Sequence, residues 1–147
     1  MIFIRKKIIE KIKKEAKYIF PNECCGFLSG LKNKNIYMID DYHSCKNISR
    51  KPAQEFRIDP IYQIKLQKKL RTISKNILGI YHSHPNGNIN LSKKDIYFFN
   101  DINLLWFIIA LSKKKYSNIL VYMKKNNVND EFLTCEYHIK NEKFFKR

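Results

Sequence analysis

The chain has 147 residues, of which 44% are hydrophobic and 14% aromatic. That is long enough for one domain with a real core and too apolar for a disordered segment. The formal charge of +16 would suit an anionic partner, but the lysines are scattered and come with many Ile, Asn, Tyr and Phe, residues of A/T-rich codons, so compositional bias explains the charge better than nucleic-acid binding does.

In chain order, residues 1–4 read as a short strand. Over residues 5–19 Ile8, Ile9, Ile12, Ala16 and Ile19 recur at helical spacing with lysines between them, which predicts a surface helix with one buried stripe, ended by Pro21. Residues 23–29 are short and apolar and read as a buried strand closed by Gly30. Residues 31–34 then form a turn into a second strand over 35–43. A polar loop covers 44–54, and 55–59 fits a further short strand. Asp59 and Pro60 are N-cap and first residue of a helix that carries Ile61, Ile64, Leu66 and Leu70 to about Ser74. Strands are expected over 77–84, 104–111, 118–124 and 132–139, the last two split by an Asn-rich turn at 126–129, and a helix over 92–100. The tail, 140–147, reads as frayed. The sum is an α+β (α/β/α) domain, a mixed sheet flanked by about three helices, spanning 1–147 without repeat or linker.

The stretch 81–95 carries the chemistry. A strand sends alternate side chains to one face, so His82 and His84 point the same way, about 7 Å apart along the chain. Pro85 stops the strand, Asn86-Gly87-Asn88 turns the chain, and Ser92-x-x-Asp95 opens a helix with Ser92 as N-cap. The loop can fold the Asp95 carboxylate over both imidazoles. Two neutral imidazoles and a carboxylate suit one Zn²⁺ per chain, with a fourth position for water. His-x-His alone is common among unrelated histidines; here the strand before it and the capped helix after it agree on one geometry. Hydrolysis also needs a base, and Glu23 opens an otherwise apolar segment where a carboxylate is costly without a task. An oxyanion donor is needed too, and the Ser92 hydroxyl can both cap the helix and donate.

Cys24, Cys25, Cys45 and Cys135 form no Cys-x-x-Cys pair and read as reduced thiols of a cytoplasmic protein. His43 and His138 are left over, and His138 reads as structural. The first residues hold no apolar run long enough for a signal peptide, and the longest such run, 104–111, is too short to cross a bilayer.

Residues 21–30, Pro-Asn-Glu-Cys-Cys-Gly-Phe-Leu-Ser-Gly, then Asn47 with Pro52, residues 56–60, and residues 79–85 through Ser92 and Asp95 resemble the JAMM (MPN+/JAB) zinc metallopeptidases, nearest their short bacterial branch. The likeness covers nearly the whole chain. It implies the MPN/JAB1, cytidine-deaminase-like fold, with His82, His84 and Asp95 as zinc ligands, Glu23 as general acid/base and Ser92 as oxyanion stabiliser. Leu91 departs from the pattern, since the family often has Pro before the serine. The resemblance further implies cleavage after the C-terminal glycine of a small ubiquitin-like sulfur carrier ending in Gly-Gly, in cysteine or related sulfur metabolism. Other branches offer alternatives: a phage-tail-type or peptidoglycan-linked peptidase, a DNA-repair-associated protein sharing His-x-His-Pro-x-Gly, or a non-catalytic MPN scaffold with a basic binding surface. An inactive scaffold usually loses ligands that are kept here.

Overall fold

Residues 105–112 form the most apolar strand of the chain, and the sheet is built outward from it. A computed structural model describes residues 1–112 and 115–146. In it β1 (Ile2–Arg5), β2 (Cys25–Asn33), β3 (Ile36–Cys45), β4 (Asn76–His84), β5 (Leu105–Ser112), β6 (Lys115–Lys124), β7 (Phe132–Cys135) and β8 (His138–Lys140) join in one sheet of order β7-β6-β5-β4-β2-β3-β1-β8. β4 runs parallel to β5, and β1 parallel to β3 and β8; the other pairs are antiparallel. All of β5 but Ser112 is buried, as expected for a central strand covered on both faces.

The sheet is curled. β7 and β8 lie at its opposite edges, yet only Glu136 and Tyr137 separate them in the chain. At 3.8 Å per Cα step the two edges can be no more than about 11 Å apart there. Inside the curl lies the apolar stripe of α1 (Lys6–Ile19), whose Ile8, Ile9, Ile12 and Ala16 are buried. This helix touches β1, β3, β5, β6 and β8, strands from both halves of the order. Burying each isoleucine contributes about 2 kcal/mol. On the outer face α2 (Pro60–Arg71) lays Leu66 and Leu70 over Phe27, and Phe99, just after α3 (Lys93–Phe98), stacks on Trp106 at 4.7 Å between ring centroids.

The α+β architecture is as expected, with local corrections. Gly30 does not close β2. It sits at a bulge against β3, where a Cβ would lie 1.8 Å from the Met38 carbonyl oxygen, and the strand runs on to a turn at Lys34 and Asn35. Residues 55–59 form no strand. Their backbone groups bond instead to the Asn47 side chain and to Ile48. The single strand expected at 132–139 is two, because Phe132 packs with the Trp106 cluster while Tyr137 turns to the inner core. On α2, Ile61 and Ile64 are exposed rather than buried. The tail is not frayed: α4 (Glu142–Phe145) folds back, with Glu142 paired to Arg5 and the Arg5 guanidinium over the Phe145 ring. Arg147 lies outside the described residues.

Candidate metal centre

Topology brings the candidate residues together. β2 and β4 are antiparallel with Cys25 opposite His82. Continuing that register by two residues sets Glu23 opposite His84, on the same face as both histidines. The end of the pair is fastened twice: Ser83 N–H donates to the Cys24 carbonyl at 3.1 Å, and Cys24 N–H donates to Ser83 Oγ at 2.8 Å. Glu23 itself is held by its N–H, which donates to the Pro52 carbonyl at 2.7 Å, and by the Asn47 amide, which donates to its carbonyl at 3.0 Å.

Asp95 arrives from the other side. Ser92 and Asp95 form a capping box at the start of α3: Asp95 N–H donates to Ser92 Oγ at 3.0 Å, and Ser92 N–H donates to Asp95 Oδ2 at 2.9 Å. The cap thereby aims the carboxylate inward. Asp95 Oδ2 lies 3.0 Å from His84 Nε2 and Oδ1 lies 3.2 Å from His82 Nε2, while the two Nε2 atoms are 3.0 Å apart. Glu23, His82 and His84 likewise each offer an atom such that all lie within 4.8 Å of one another. All four residues are buried.

This cluster asks for a cation. His84 Nδ1 lies 2.7 Å from the Asn88 carbonyl oxygen, which can only accept, so Nδ1 carries the hydrogen. A neutral His84 then presents a bare Nε2 lone pair to a second imidazole nitrogen and to a carboxylate oxygen. Donor atoms bound tetrahedrally at 2.0–2.1 Å would be about 3.3 Å apart, close to the separations here. Glu23 Oε1 and His82 Nδ1 are buried with no hydrogen-bond partner among the described residues. The first leaves a carboxylate oxygen free beside the cluster. The second departs from the usual metal-bound histidine, which donates its other N–H; packing orients this ring instead, between Phe56 stacked at 4.5 Å and Trp106 edge-on at 5.5 Å. Glu23, His82 and His84 could thus hold a metal ion, and Asp95 stands 3.0 Å and 3.2 Å from the Nε2 atoms of His84 and His82.

The proton affinities fit a cation-seeking site. Burial raises the Asp95 carboxyl, but His82, His84 and the Ser92 N–H outweigh it and hold it well below the usual carboxylate range. Burial lowers His82 despite Asp95. Burial also acts to lower His84, but Asp95 and the Asn88 carbonyl win and raise it. Burial lifts Glu23 to about 8, with His84 opposing and Asp95 and Glu55 adding. Glu23, His84 and Ser92 open onto a cleft of about 240 Å³. A larger cleft of about 510 Å³ opens elsewhere, beside Asn76 at the far end of β4 from His84, and holds none of these residues.

His43 and His138 lie apart from the metal cluster, whereas Cys25 stands opposite His82 on the ladder and Cys24 follows Glu23 in the chain. His43 pairs with Ser29 Oγ at 2.8 Å, and His138 packs on Phe3. All four cysteines are free, and burial pushes the Cys24 and Cys45 thiols up to about 12, so they are protonated at neutral pH. Sequence reading missed Asn88, Ser83 and Trp106. Asn88 and Ser83 had a local signal, being within the His-x-His stretch and its turn; Trp106 had none, since β5 pairing alone brings it to His82.

A curled mixed sheet wrapped on one helix, with two histidines and two carboxylates converging at one strand end, defines a JAB1/MPN-type domain. The chain belongs to the Prok-JAB family, prokaryotic homologues of the JAB domain, whose pattern matches residues 5–124. It is 25% identical over 107 residues to the tail tip assembly protein K of Escherichia phage N15, covering 73% of this chain and 40% of that protein. It is 25% identical over 81 residues to a desampylase of Haloferax volcanii, covering 55% of this chain and 57% of that protein. The chain spans about half the length of these curated relatives. A Desulfitobacterium hafniense protein of solved structure superposes with a TM-score of 0.83 at 28% identity, over 97% of this chain and 94% of that one. A JAB1/MPN domain protein from Archaeoglobus fulgidus shares the fold, with a TM-score of 0.60 at 17% identity over 96% and 98% of the two chains.

Proposed function

We propose that this chain is a JAMM-type zinc metallopeptidase that hydrolyses the amide bond after the C-terminal Gly-Gly of a small ubiquitin-like carrier. The observation that carries the reading is the convergence of His82 Nε2, His84 Nε2 and the two oxygens of the Asp95 carboxylate, at contacts of 3.0–3.2 Å, with a Glu23 oxygen unpartnered among the described residues beside them. Zinc, when bound, lowers the pKa of a water and polarises a carbonyl. Glu23 is the acid/base group: buried, partnerless at Oε1, and with a proton affinity near neutrality, it takes a proton from the attacking water and delivers it to the leaving amine. Ser92 Oγ already accepts from Asp95 N–H, so its own hydrogen is free to donate to the developing oxyanion. Glycine suits the narrow cleft because it lets the backbone approach closely.

Membership of the JAB family and the likeness to a desampylase support a ubiquitin-like partner. The sulfur-carrier identity, and with it a place in cysteine or sulfur metabolism in the cytoplasm, is the finer part of the proposal. Among the described residues no helix is long and apolar enough to cross a membrane. The likeness to a tail tip assembly protein favours a phage-tail-type role as the second reading.

Two measurements test this. Metal analysis of purified protein is expected to find close to one zinc per chain, lost in a His82→Ala/His84→Ala double variant; full retention would exclude the site. Carrier fusions bearing a residue or peptide after Gly-Gly should lose that mass on incubation. Survival of every fusion while glycine-free peptides are cut freely would replace this reading with a general peptidase.

A further inference from the structure

The loop from Asn86 to Leu91 joins the histidine strand β4 to the capped start of α3, so it sets where Asp95 meets the two imidazoles. Its own sequence, Asn-Gly-Asn-Ile-Asn-Leu, does little to hold it, and it forms neither helix nor strand. The hydrogen bonds within it are short in range. Gly87 N–H donates to the His84 carbonyl at 3.1 Å, Asn88 N–H to Asn86 Oδ1 at 3.0 Å and Asn90 N–H to Asn88 Oδ1 at 2.9 Å. Turns of this kind fix a local bend but not where that bend sits against the sheet.

Its position comes from β5 and β6. At Gly87 the loop passes the end of β5 so closely that a Cβ would lie 3.0 Å from the Leu111 carbonyl oxygen, and φ there is +81°, which favours glycine. At Leu91 the side chain packs into the cluster of Phe99, Trp106, Ile108 and Tyr122. Between these two points the Tyr122 hydroxyl donates to the Ile89 carbonyl at 3.0 Å, across 33 residues of chain. The Tyr122 ring is itself seated in that cluster, opposite Trp106 on the β5–β6 ladder. A buried aromatic ring is a firm base for a hydroxyl that has found its partner.

Ile89 is a sensitive place for this bond. The carbonyl just before it, that of Asn88, accepts from His84 Nδ1–H at 2.7 Å and so keeps His84 Nε2 bare towards Asp95. Just after it, Ser92 caps α3 and aims the Asp95 carboxylate inward. If Ile89 moved away from β6, the Asn88–His84 bond would lengthen and the start of α3 would swing with it, and hydrogen bonds weaken steeply with poor geometry. We infer that Tyr122 is a positioning residue of the metal centre. By gripping Ile89 it holds the loop where Asn88 orients His84 and Ser92 presents Asp95. It touches neither metal nor substrate, and acts from β6, two strands over from the histidines on β4. This rests on the zinc reading of the site and adds to it a dependence of metal affinity on a distant phenol.

Tyr122→Phe tests this, because it keeps the ring and removes only the hydroxyl. In stripped wild-type protein with ¹⁵N-labelled histidine, NMR is expected to show a slowly exchanging hydrogen on His84 Nδ1; in Tyr122→Phe that hydrogen should exchange several-fold faster. Competition against a chromophoric chelator should show zinc affinity lowered about tenfold, the lower end for groups that orient a metal ligand. Leu70→Ala, which opens a hole under α2, is the control for stability alone: it should lower the melting temperature more than Tyr122→Phe does and leave zinc affinity within about twofold of wild type. An unchanged His84 signal or an unchanged zinc affinity in Tyr122→Phe would overturn the inference, and so would an equal loss of zinc in Leu70→Ala. If wild-type protein takes up no zinc, the metal reading falls instead, and the His84 signal alone decides whether Tyr122 holds the loop.

Discussion

At the residue scale, the role proposed for Glu23 sets function against stability. Its carboxyl is buried, and in the metal-free protein its pKa rises from 4.5 to about 8. Below pH 4.5 it is protonated both folded and unfolded and costs nothing. As pH rises towards 8 the unfolded chain releases the proton and the folded one keeps it, so stability is lost across that window. Glu23→Gln does not titrate, so chelator-treated Glu23→Gln protein should match wild type near pH 4 and exceed it by at most about 3 kcal/mol at pH 7. Urea unfolding at several pH values measures this, and a gap that does not change with pH would mean that the carboxyl is solvated. With zinc, the same variant should keep its metal and lose turnover by at least ~10²-fold. Ser92→Ala should cost about 1 kcal/mol through the lost cap and ~10²-fold in rate. His82, His84, Asp95 and their capping serine could be read from spacing because one strand and one helix turn place them. The Phe56 and Trp106 rings that orient His82 come from separate segments, and only the folded sheet sets them there.

At the scale of elements, the segment that carries no regular structure is held by one side chain. The Asn47 amide donates to the carbonyls of Glu23 and Glu55, each at 3.0 Å, and its oxygen accepts from Ser49 and Arg57 N–H, each at 3.1 Å. Asn47→Ala leaves these backbone groups without their partner and should cost about 2–3 kcal/mol. Because Glu23 hangs from the same network, kcat should fall while zinc content stays at one equivalent; loss of zinc in step with activity would point to general unfolding instead. Sequence pattern read 55–59 as a strand because alternation cannot tell a ladder from an extended segment bonded to an asparagine. It placed the β2–β3 turn too early for a related reason. Glycine marks both turns and bulges, and only the pairing with Met38 shows that Gly30 is a bulge. At that site Gly30→Ala should lower the melting temperature by several degrees.

At the scale of the whole molecule, most helices and strands were legible one by one, but the curl was not. It depends on β7 and β8 reaching opposite edges, a long-range fact with no local period. The +16 charge is likewise a property of the whole. Among the described residues no lysine or arginine lines the cleft, so the positive surface can act on encounter without altering the chemical step. With an acidic carrier, raising salt from low ionic strength to 0.5 M, which shortens the Debye length to well under ~8 Å, should lower kcat/KM several-fold and leave kcat unchanged. A salt-independent kcat/KM would mark the lysines as a trace of base composition alone.

The chain has one tryptophan, and it lies with its ring edge-on to His82 at 5.5 Å. The protein therefore carries its own optical gauge of the site. Burial keeps the His82 ring neutral in the stripped protein, so a metal on its Nε2 would put a new positive charge against the indole ring. Intrinsic fluorescence should shift as zinc is added to stripped protein, with a break at one equivalent, and occupancy can be read in real time without label, substrate or turnover.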